Sequence, residues 1–346
     1  MTARLGSLDR RIVAALQAEP RASWAAVATV ARTTETTAAR RASRLLETGA
    51  LRLTGLADPI RCGFGQPVLL QLKCEPSRAG SIADALARRE DVRFCGLTTG
   101  RWDVVAELIS SSSDDLARVV VDEVGQLPGI TESSTAFVTR NYKMSYDWSR
   151  GLLDVASDDV PLETEGGAAA STRWHDPSAS AAVDLDDVDV HLLAAVADNG
   201  RRSYAEVAGE VGLSETAVRR RLERLVRERC LIFSAYVEPA ALGYHLEFLV
   251  WLRMSYRHLD RAAAELAAHR EVRYLSATAG SAELVCEVVL PEQGDLYAFT
   301  TEVLGRLPGL VTADIGVEIG NRKRAWHGPA DQPGASPTRK ASSACT

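Results

Sequence analysis

A self-repeat at an offset of 180 residues constrains this chain more than any other feature. Sliding the sequence against itself aligns residues 8–143 with 188–323 without a gap. The matches start at Asp9/Asp189, Arg21/Arg201 and Ser23/Ser203, then run through Glu35/Glu215, Arg40/Arg220, Arg41/Arg221 and Arg44/Arg224. They continue through Pro59/Pro239, Gly63/Gly243 and Gly100/Gly280 to Leu127-Pro128-Gly129/Leu307-Pro308-Gly309 and Asn141/Asn321. Two units exclude a solenoid, which needs at least three short repeats to bury a continuous core. Each unit of about 135 residues is long enough to fold on its own.

Between the units, residues 147–187 carry ten acidic side chains against Arg150 and Arg173, around a GGAAAS run. Such a segment buries too little apolar surface to order itself, so residues 145–182 are expected to be an acidic flexible linker. The Pro, Gly and Ser rich end, 327–346, is expected to be a disordered tail.

The formal net charge of −6 argues weakly against nucleic acid as a partner, but a chain-wide sum hides opposed patches. All but four of the 40 Lys and Arg residues are arginine, a bias that genome composition explains before any chemistry does. The six cysteines form no C-x-x-C pair, and the six histidines show no metal-ligand spacing, so neither a metal nor another cofactor is expected. The opening MTARLGSLDRR is polar, and no apolar run reaches the roughly 18 residues of a membrane span. These features predict a soluble cytoplasmic protein with reduced thiols.

The start of the second unit has helical periodicity, with Val188, Leu192, Leu193 and Val196 on one stripe. Ser203 and Glu206 have capping-box spacing for a second helix, which Gly212 ends. A third helix starts at the cap Ser214 and runs to about Glu228. Two helices across a tight glycine turn are the helix-turn-helix pattern. On a wheel of the third helix, Val218, Leu222, Leu225 and Val226 share one side. Thr216, Arg220, Arg224 and Arg227 take the other, with Arg219 and Arg221 on the flanks. Residues 201–229 hold eight arginines and five glutamates, a net +3 in an acidic chain. A solvated face laced with Glu/Arg pairs is the plain alternative. A cationic second helix fits the major groove, where arginine chelates guanine and flanking arginines meet phosphates. Ser214, Thr216, Arg219, Arg220, Arg221, Arg224 and Arg227 are therefore the candidate DNA contacts.

The first unit repeats the pattern in a thinner form. Thr33, Ala38 and Ala42 replace Leu213, Val218 and Leu222, and Ala26 stands where Glu206 completes the capping box. Thr36, Arg40, Arg41 and Arg44 remain, and residues 21–52 hold six arginines against two glutamates. The charge is kept while the apolar face shrinks. A looser second grip on DNA is expected, against the alternative of a unit retained only for packing.

The stretch GLSETAVRRRLERL resembles the DNA-binding segment of the Lrp/AsnC transcriptional regulators, and the resemblance extends over nearly all of both units. After a strand at 231–237, the second unit reads as strand 248–256, helix 259–269, strands 272–278 and 283–290, helix 293–307 and strand 310–319. The first repeats this over 66–140. That order is a ferredoxin-like βαββαβ unit, which in this family is the small-molecule-sensing RAM domain. The expected fold is α+β: helix-turn-helix (winged) at 1–58, RAM at 59–144, then helix-turn-helix at 183–238 and RAM at 239–326.

The resemblance implies further that a glycine and an acid three residues on, between the middle strands, meet an amino-acid effector. These are Gly100, Trp102 and Asp103 in the first unit, and Gly280 and Glu283 in the second. The alternative is a glycine turn with an acid at its exit. The resemblance also implies RAM pairing, in a homo-oligomer or within the chain as a pseudo-dimer. A flexible linker of about 40 residues spans on the order of 35 Å, enough for such docking. The partners expected are double-stranded DNA and a small molecule, with no membrane. Sirohaem decarboxylases share the two-unit build but carry histidine and tyrosine near the first middle strand. The corresponding runs here, 93–99 and 273–279, contain no histidine. No nucleophile–base set or phosphate loop appears, so a non-enzymatic regulator is expected. A sensing module that works through a protein partner is the other option.

Overall fold

The computed structural model describes residues 4–146, 148–153 and 181–324. The first unit opens with α1 (Ser7–Ala18), α2 (Trp24–Ala31), α3 (Glu35–Glu47) and the wing strand β1 (Leu51–Ala57). Then follow β2 (Gln66–Cys74), α4 (Ala79–Ala87), β3 (Val92–Thr98), β4 (Val104–Ser110), the short α5 (Ser113–Ala117) and β5 (Ile130–Lys143). The second repeats this as α6 (Asp187–Ala197), α7 (Tyr204–Val211), α8 (Glu215–Arg227) and β6 (Leu231–Val237). After a turn of helix, α9 (Pro239–Leu242), come β7 (Leu246–Met254), α10 (Leu259–Ala268), β8 (Val272–Ala279), β9 (Leu284–Leu290), α11 (Gly294–Ala298) and β10 (Leu310–Lys323).

Local chemistry sets the helix ends. Ser203 accepts from the Glu206 amide while the Glu206 carboxylate accepts from the Ser203 amide, and Gly212 closes α7 in the left-handed region at φ 69°. In the first unit Ser23 caps α2 without a reciprocal acid, and Arg32 takes the left-handed position at φ 53°. The units trade this feature once more: Gly49 (φ 71°) follows α3, whereas Arg229 (φ 61°) follows α8.

The two units close on each other. The wings β1 and β6 pair antiparallel, from Leu51 opposite Val237 to Ala57 opposite Leu231. The RAM strands form one closed barrel, ordered β10-β3-β4-β2-β5-β8-β9-β7. Its seams come from β5 and β10. The early part of β5 pairs with β2 in its own unit and the later part with β8 of the other. Likewise β10 pairs first with β7, then with β3. That double duty explains why β10 runs to Lys323, beyond the expected end at 319. Closure leaves the barrel without an open edge.

Burial is shared as well. The core beneath α1–α3 includes Ala235, Val237, Ala241, Leu242 and Val289 of the second unit, and the core beneath α6–α8 includes Cys62 of the first. Two of the chain's four lysines clamp the seams: Lys143 donates to the Ala267 and His269 carbonyls at 3.0 and 2.8 Å, and Lys323 to the Arg89 carbonyl at 2.6 Å. Each therefore caps the end of a helix belonging to the other unit.

Three expectations need correction. The stretch after β5 is not wholly linker, because Trp148 and Leu153 are buried in the core of the first helix-turn-helix and the Trp148 indole donates to the Arg270 carbonyl. Apolar groups in an otherwise acidic stretch found a surface to cover; the rest of the expected linker, 154–180, and the 327–346 tail lie outside the described residues. The helix expected over 293–307 is broken, with α11 giving way to wider and then tighter turns before Leu307. Val226 is 40% exposed rather than part of the core stripe.

Candidate nucleic-acid interface and ligand-domain hairpins

The burial of α8 is rotated from the expected stripe. Val218, Leu222 and Leu225 are buried, and the flank carrying Arg221 and Arg224 turns toward α6 rather than to solvent. The cause is Asp189, 1% exposed in the first turn of α6. Arg221 Nη1 donates to Asp189 Oδ1 at 2.8 Å and to Asp186 Oδ2 at 2.7 Å, and Arg224 donates to Asp189 Oδ2. A buried carboxylate needs such partners to stay ionised. Arg41 pairs with Asp9 at 2.9 Å in the same way in the first unit. These three arginines thus anchor the recognition helices, and Arg224 does not occupy the outward face expected for it.

Other cations are also committed. Arg219 pairs with Glu223 at 2.9 Å, one helical turn on. Arg21 donates to the Gly200 and Arg202 carbonyls and lies over the Tyr204 and Phe233 rings; Arg201 donates to the Pro20 carbonyl and lies over Trp24. This reciprocal clasp fixes one helix-turn-helix against the other, so part of the arginine excess serves the interface between units.

An outward arc remains on each recognition helix. On α8 it holds Thr216, Arg220 and Arg227, and on α3 Thr36, Arg40 and Arg44, all exposed. Among the described residues the four arginine side chains have no hydrogen-bond or ion-pair partner. Ser214 is spent as N-cap, accepting from the Ala217 amide at 3.3 Å. Val226 and its counterpart Leu46, 36% exposed, border the same arc. The wheel misplaced Val226, and its shared exposure with Leu46 could not be read without knowing where α6 lies. The two arcs differ where Ser43 stands for Glu223 and Glu47 for Arg227.

The Gly-x-x-acid hairpins sit at the contact between RAM domains. Gly100 turns at φ 91°, and a Cβ there would lie 3.4 Å from the Ile315 carbonyl oxygen. Gly280 is needed for close approach, since a Cβ would meet that of Ala136 at 2.6 Å. Both acids point back into the fold. Asp103 Oδ1 takes the Lys73 ammonium at 2.8 Å and Oδ2 the Cys74 amide at 2.8 Å. Glu283 Oε2 accepts from the Met254 amide at 2.7 Å. Trp102 is 4% exposed inside the barrel, beside Leu69, Val105, Trp251 and Val285. The hairpins thus place glycine and aromatic groups at the junction, while each acid ties its hairpin to a neighbouring strand.

Sequence reading missed a charged cluster inside the second RAM domain. Arg273, fully buried, donates to Glu287 Oε2 at 2.9 Å, to Glu247 Oε2 at 2.7 Å and to the Tyr236 hydroxyl of the wing at 3.1 Å. Arg324 donates to Glu247 at 2.6 Å and to Glu318 at 3.3 Å. Burial, then the neighbouring Glu287 carboxylate, pushes Glu318 up to about 8. Despite its burial Glu287 is held low by Arg273 and Arg324. Glu247, Glu287 and Glu318 each bring an oxygen within 4.8 Å of the others, the spacing of a metal site. Arg273 and Arg324 already pair with these carboxylates, and Glu318 holds its proton up to about 8, so the cluster has its positive charge from the protein itself. No helix among the described residues is long and apolar enough to cross a membrane.

Parts of this chain are similar to known proteins. Residues 5–46 and 185–226 match the AsnC-type helix-turn-helix domain, and residues 68–148 and 247–323 the Lrp/AsnC ligand binding domain. An uncharacterised HTH-type transcriptional regulator of Pyrococcus furiosus is 27% identical over 143 residues, covering 41% of this chain and 97% of its own. The HTH-type transcriptional regulator FL11 of Pyrococcus abyssi is 26% identical over 144 residues, 41% of this chain and 95% of its own. Among solved structures, the sirohaem decarboxylase NirDL superposes over 94% of both chains with a TM-score of 0.63 at 11% identity, a likeness of fold.

Proposed function

The chain belongs to the Lrp/AsnC family of helix-turn-helix transcriptional regulators with a ligand-binding domain, and on that premise we propose how its two units divide the work. The recognition helices α3 and α8 enter two half-sites of one duplex as an intrachain pseudo-dimer acting on DNA in the cytoplasm. Thr216, Arg220 and Arg227 contact one half-site and Thr36, Arg40 and Arg44 the other, while Arg41, Arg219, Arg221 and Arg224 hold the helices in place. Because the two arcs differ in sequence, the operator is asymmetric. A small molecule, an amino acid or a relative of one, acts through the barrel near Gly100 and Gly280 and shifts the spacing of the helices. Asp103 and Glu283 serve that site by holding the hairpins.

The observation that carries this reading is the pair of exposed arcs whose arginines have no partner among the described residues, on helices locked to each other by the Arg21/Arg201 clasp. Fluorescence anisotropy with upstream genomic fragments at several salt concentrations tests it. Affinity should fall steeply with salt, and Arg220→Ala with Arg227→Ala should lower the salt slope by about 2. No preference for any duplex at low salt would overturn the proposal.

The likeness to NirDL over 94% of the chain favours one competing reading, decarboxylation of a tetrapyrrole. Incubation with sirohaem should release no carbon dioxide; stoichiometric release would reverse the assignment.

A further inference from the structure

Cys62 follows the first wing and Cys230 ends the recognition-helix segment of the second unit, 168 residues apart in sequence. Tertiary structure brings them together. The Cys62 thiol donates to the Cys230 carbonyl at 3.4 Å, the Cys230 thiol donates to the carbonyl of Arg61, the chain neighbour of Cys62, at 3.8 Å, and the Asp58 amide donates to the Cys230 carbonyl at 3.0 Å. Packing alone does not require sulfur here. At the pseudo-equivalent position on the other side, Ala50 and Leu242 fill the matching space in the core.

The pair is also chemically unequal. The neighbouring Cys62 thiol, and after it the Arg61 guanidinium, draws the Cys230 thiol below its usual range. The Cys62 thiol is pushed up, first by its neighbour Cys230 and then by burial. Burial holds Cys74, Cys95 and Cys286 as thiols, at about 11, about 12 and about 12. Two thiols that the fold holds against each other's backbone can be joined as a disulfide, and the one with the lower pKa is the better nucleophile. Both cysteines are buried, next in sequence to the exposed Gly63 and Arg229, so an oxidant reaches them through local opening of these two segments.

We propose that Cys62 and Cys230 form an oxidation site, a dithiol that hydroperoxide-class oxidants convert to a disulfide joining the two units beside recognition helix α8. Cys230 gives up its proton and its sulfur attacks a peroxide oxygen; the O–O bond breaks, and the departing hydroxide takes that proton to leave as water. Cys62 sulfur then attacks the Cys230 sulfenic acid; the S–O bond breaks, the S–S bond forms, and the Cys62 proton leaves with the hydroxide as a second water. Two thiols lose two electrons and one peroxide becomes two waters.

Reduced full-length protein in a Cys345→Ser background is treated with hydrogen peroxide, denatured, alkylated and digested for mass spectrometry. The expected product is a Cys62–Cys230 peptide pair, about 2 Da lighter than the reduced pair, with Cys74, Cys95 and Cys286 alkylated and dithiothreitol restoring both thiols. The closed loop is long, so the melting temperature should rise by roughly 5 °C. Cys62→Ser and Cys230→Ser should each abolish the product and the rise. Full alkylation of both cysteines after peroxide, a disulfide to another cysteine, or a sulfenic acid that persists at Cys230 would overturn the proposal. These readouts need no DNA, so they stand or fall separately from the regulator reading.

Discussion

Replacing Arg273 by methionine perturbs one well-defined group. The guanidinium makes charge-assisted hydrogen bonds to Glu287 and Glu247 and a further one to Tyr236, with no solvent contact to compensate a loss. Its removal leaves Arg324 alone against Glu247, Glu287 and Glu318. Breaking a buried pair by deleting one partner costs about 3–5 kcal/mol, chiefly because the remaining charge is stranded. Chemical denaturation, followed by tryptophan fluorescence and circular dichroism, should show that loss at pH 7. In the wild type Glu287 is held low, so its contribution is present above the unfolded carboxyl value and fades as pH falls. Without Arg273 the carboxylates protonate readily, and the deficit should shrink to less than half near pH 4.5. Arg273→Met with Glu287→Leu should recover much of the stability, since a well-packed apolar pair replaces an ion pair at little cost. A deficit under about 1 kcal/mol, or one equal at both pH values, would refute the view that these charges are sealed from water.

Three further outcomes are expected. Glu318 is raised to about 8, so the folded state keeps a proton that the unfolded chain has lost, and stability should decline as pH rises from about 4.5 to about 8. Glu318→Gln should remove that decline, matching wild type near pH 5 and exceeding it near pH 8.5 in parallel melts. Asp189→Asn should cost about 2 kcal/mol in urea denaturation, and Asp9→Asn about half that, because Asp189 anchors two arginines and Asp9 one. Arg229→Gly should raise stability by about 0.5–1 kcal/mol in the same assay, since glycine takes the left-handed position at φ 61° without strain; a loss would mean that the arginine side chain contributes more than its backbone costs.

Periodicity and caps were readable because they are local. The strand at 231–237 and the helix beginning after Ser214 stand where spacing and capping put them. The arginine arc was readable only in part. A wheel separates apolar from polar positions, but it treats every polar position as outward. Arg221 and Arg224 fall on its polar side and still face the fold, because Asp189 in another helix offers a buried charge. Val226 went the other way for the same reason: the wheel has no knowledge of which flank α6 covers. At the hairpins, the Gly-x-x-acid spacing located a turn correctly, whereas the acids' backbone partners, the Cys74 and Met254 amides, became visible only in the folded sheet.

The duplicated pattern of apolar spacing, caps and turns was enough to specify two helix-turn-helix units and two βαββαβ units, because each rests on neighbours a few residues apart; the family came from the resemblance carried by GLSETAVRRRLERL. Folding in three dimensions decided what the units do to each other. The barrel seams, the crossed lysine clamps, the Arg21/Arg201 clasp, the charged cluster and the Cys62–Cys230 contact join residues more than a hundred positions apart or in different elements. Burial in a shared core set which arginines became anchors and which stayed outside, and charge desolvation is the physical reason that choice could not be made along the chain alone.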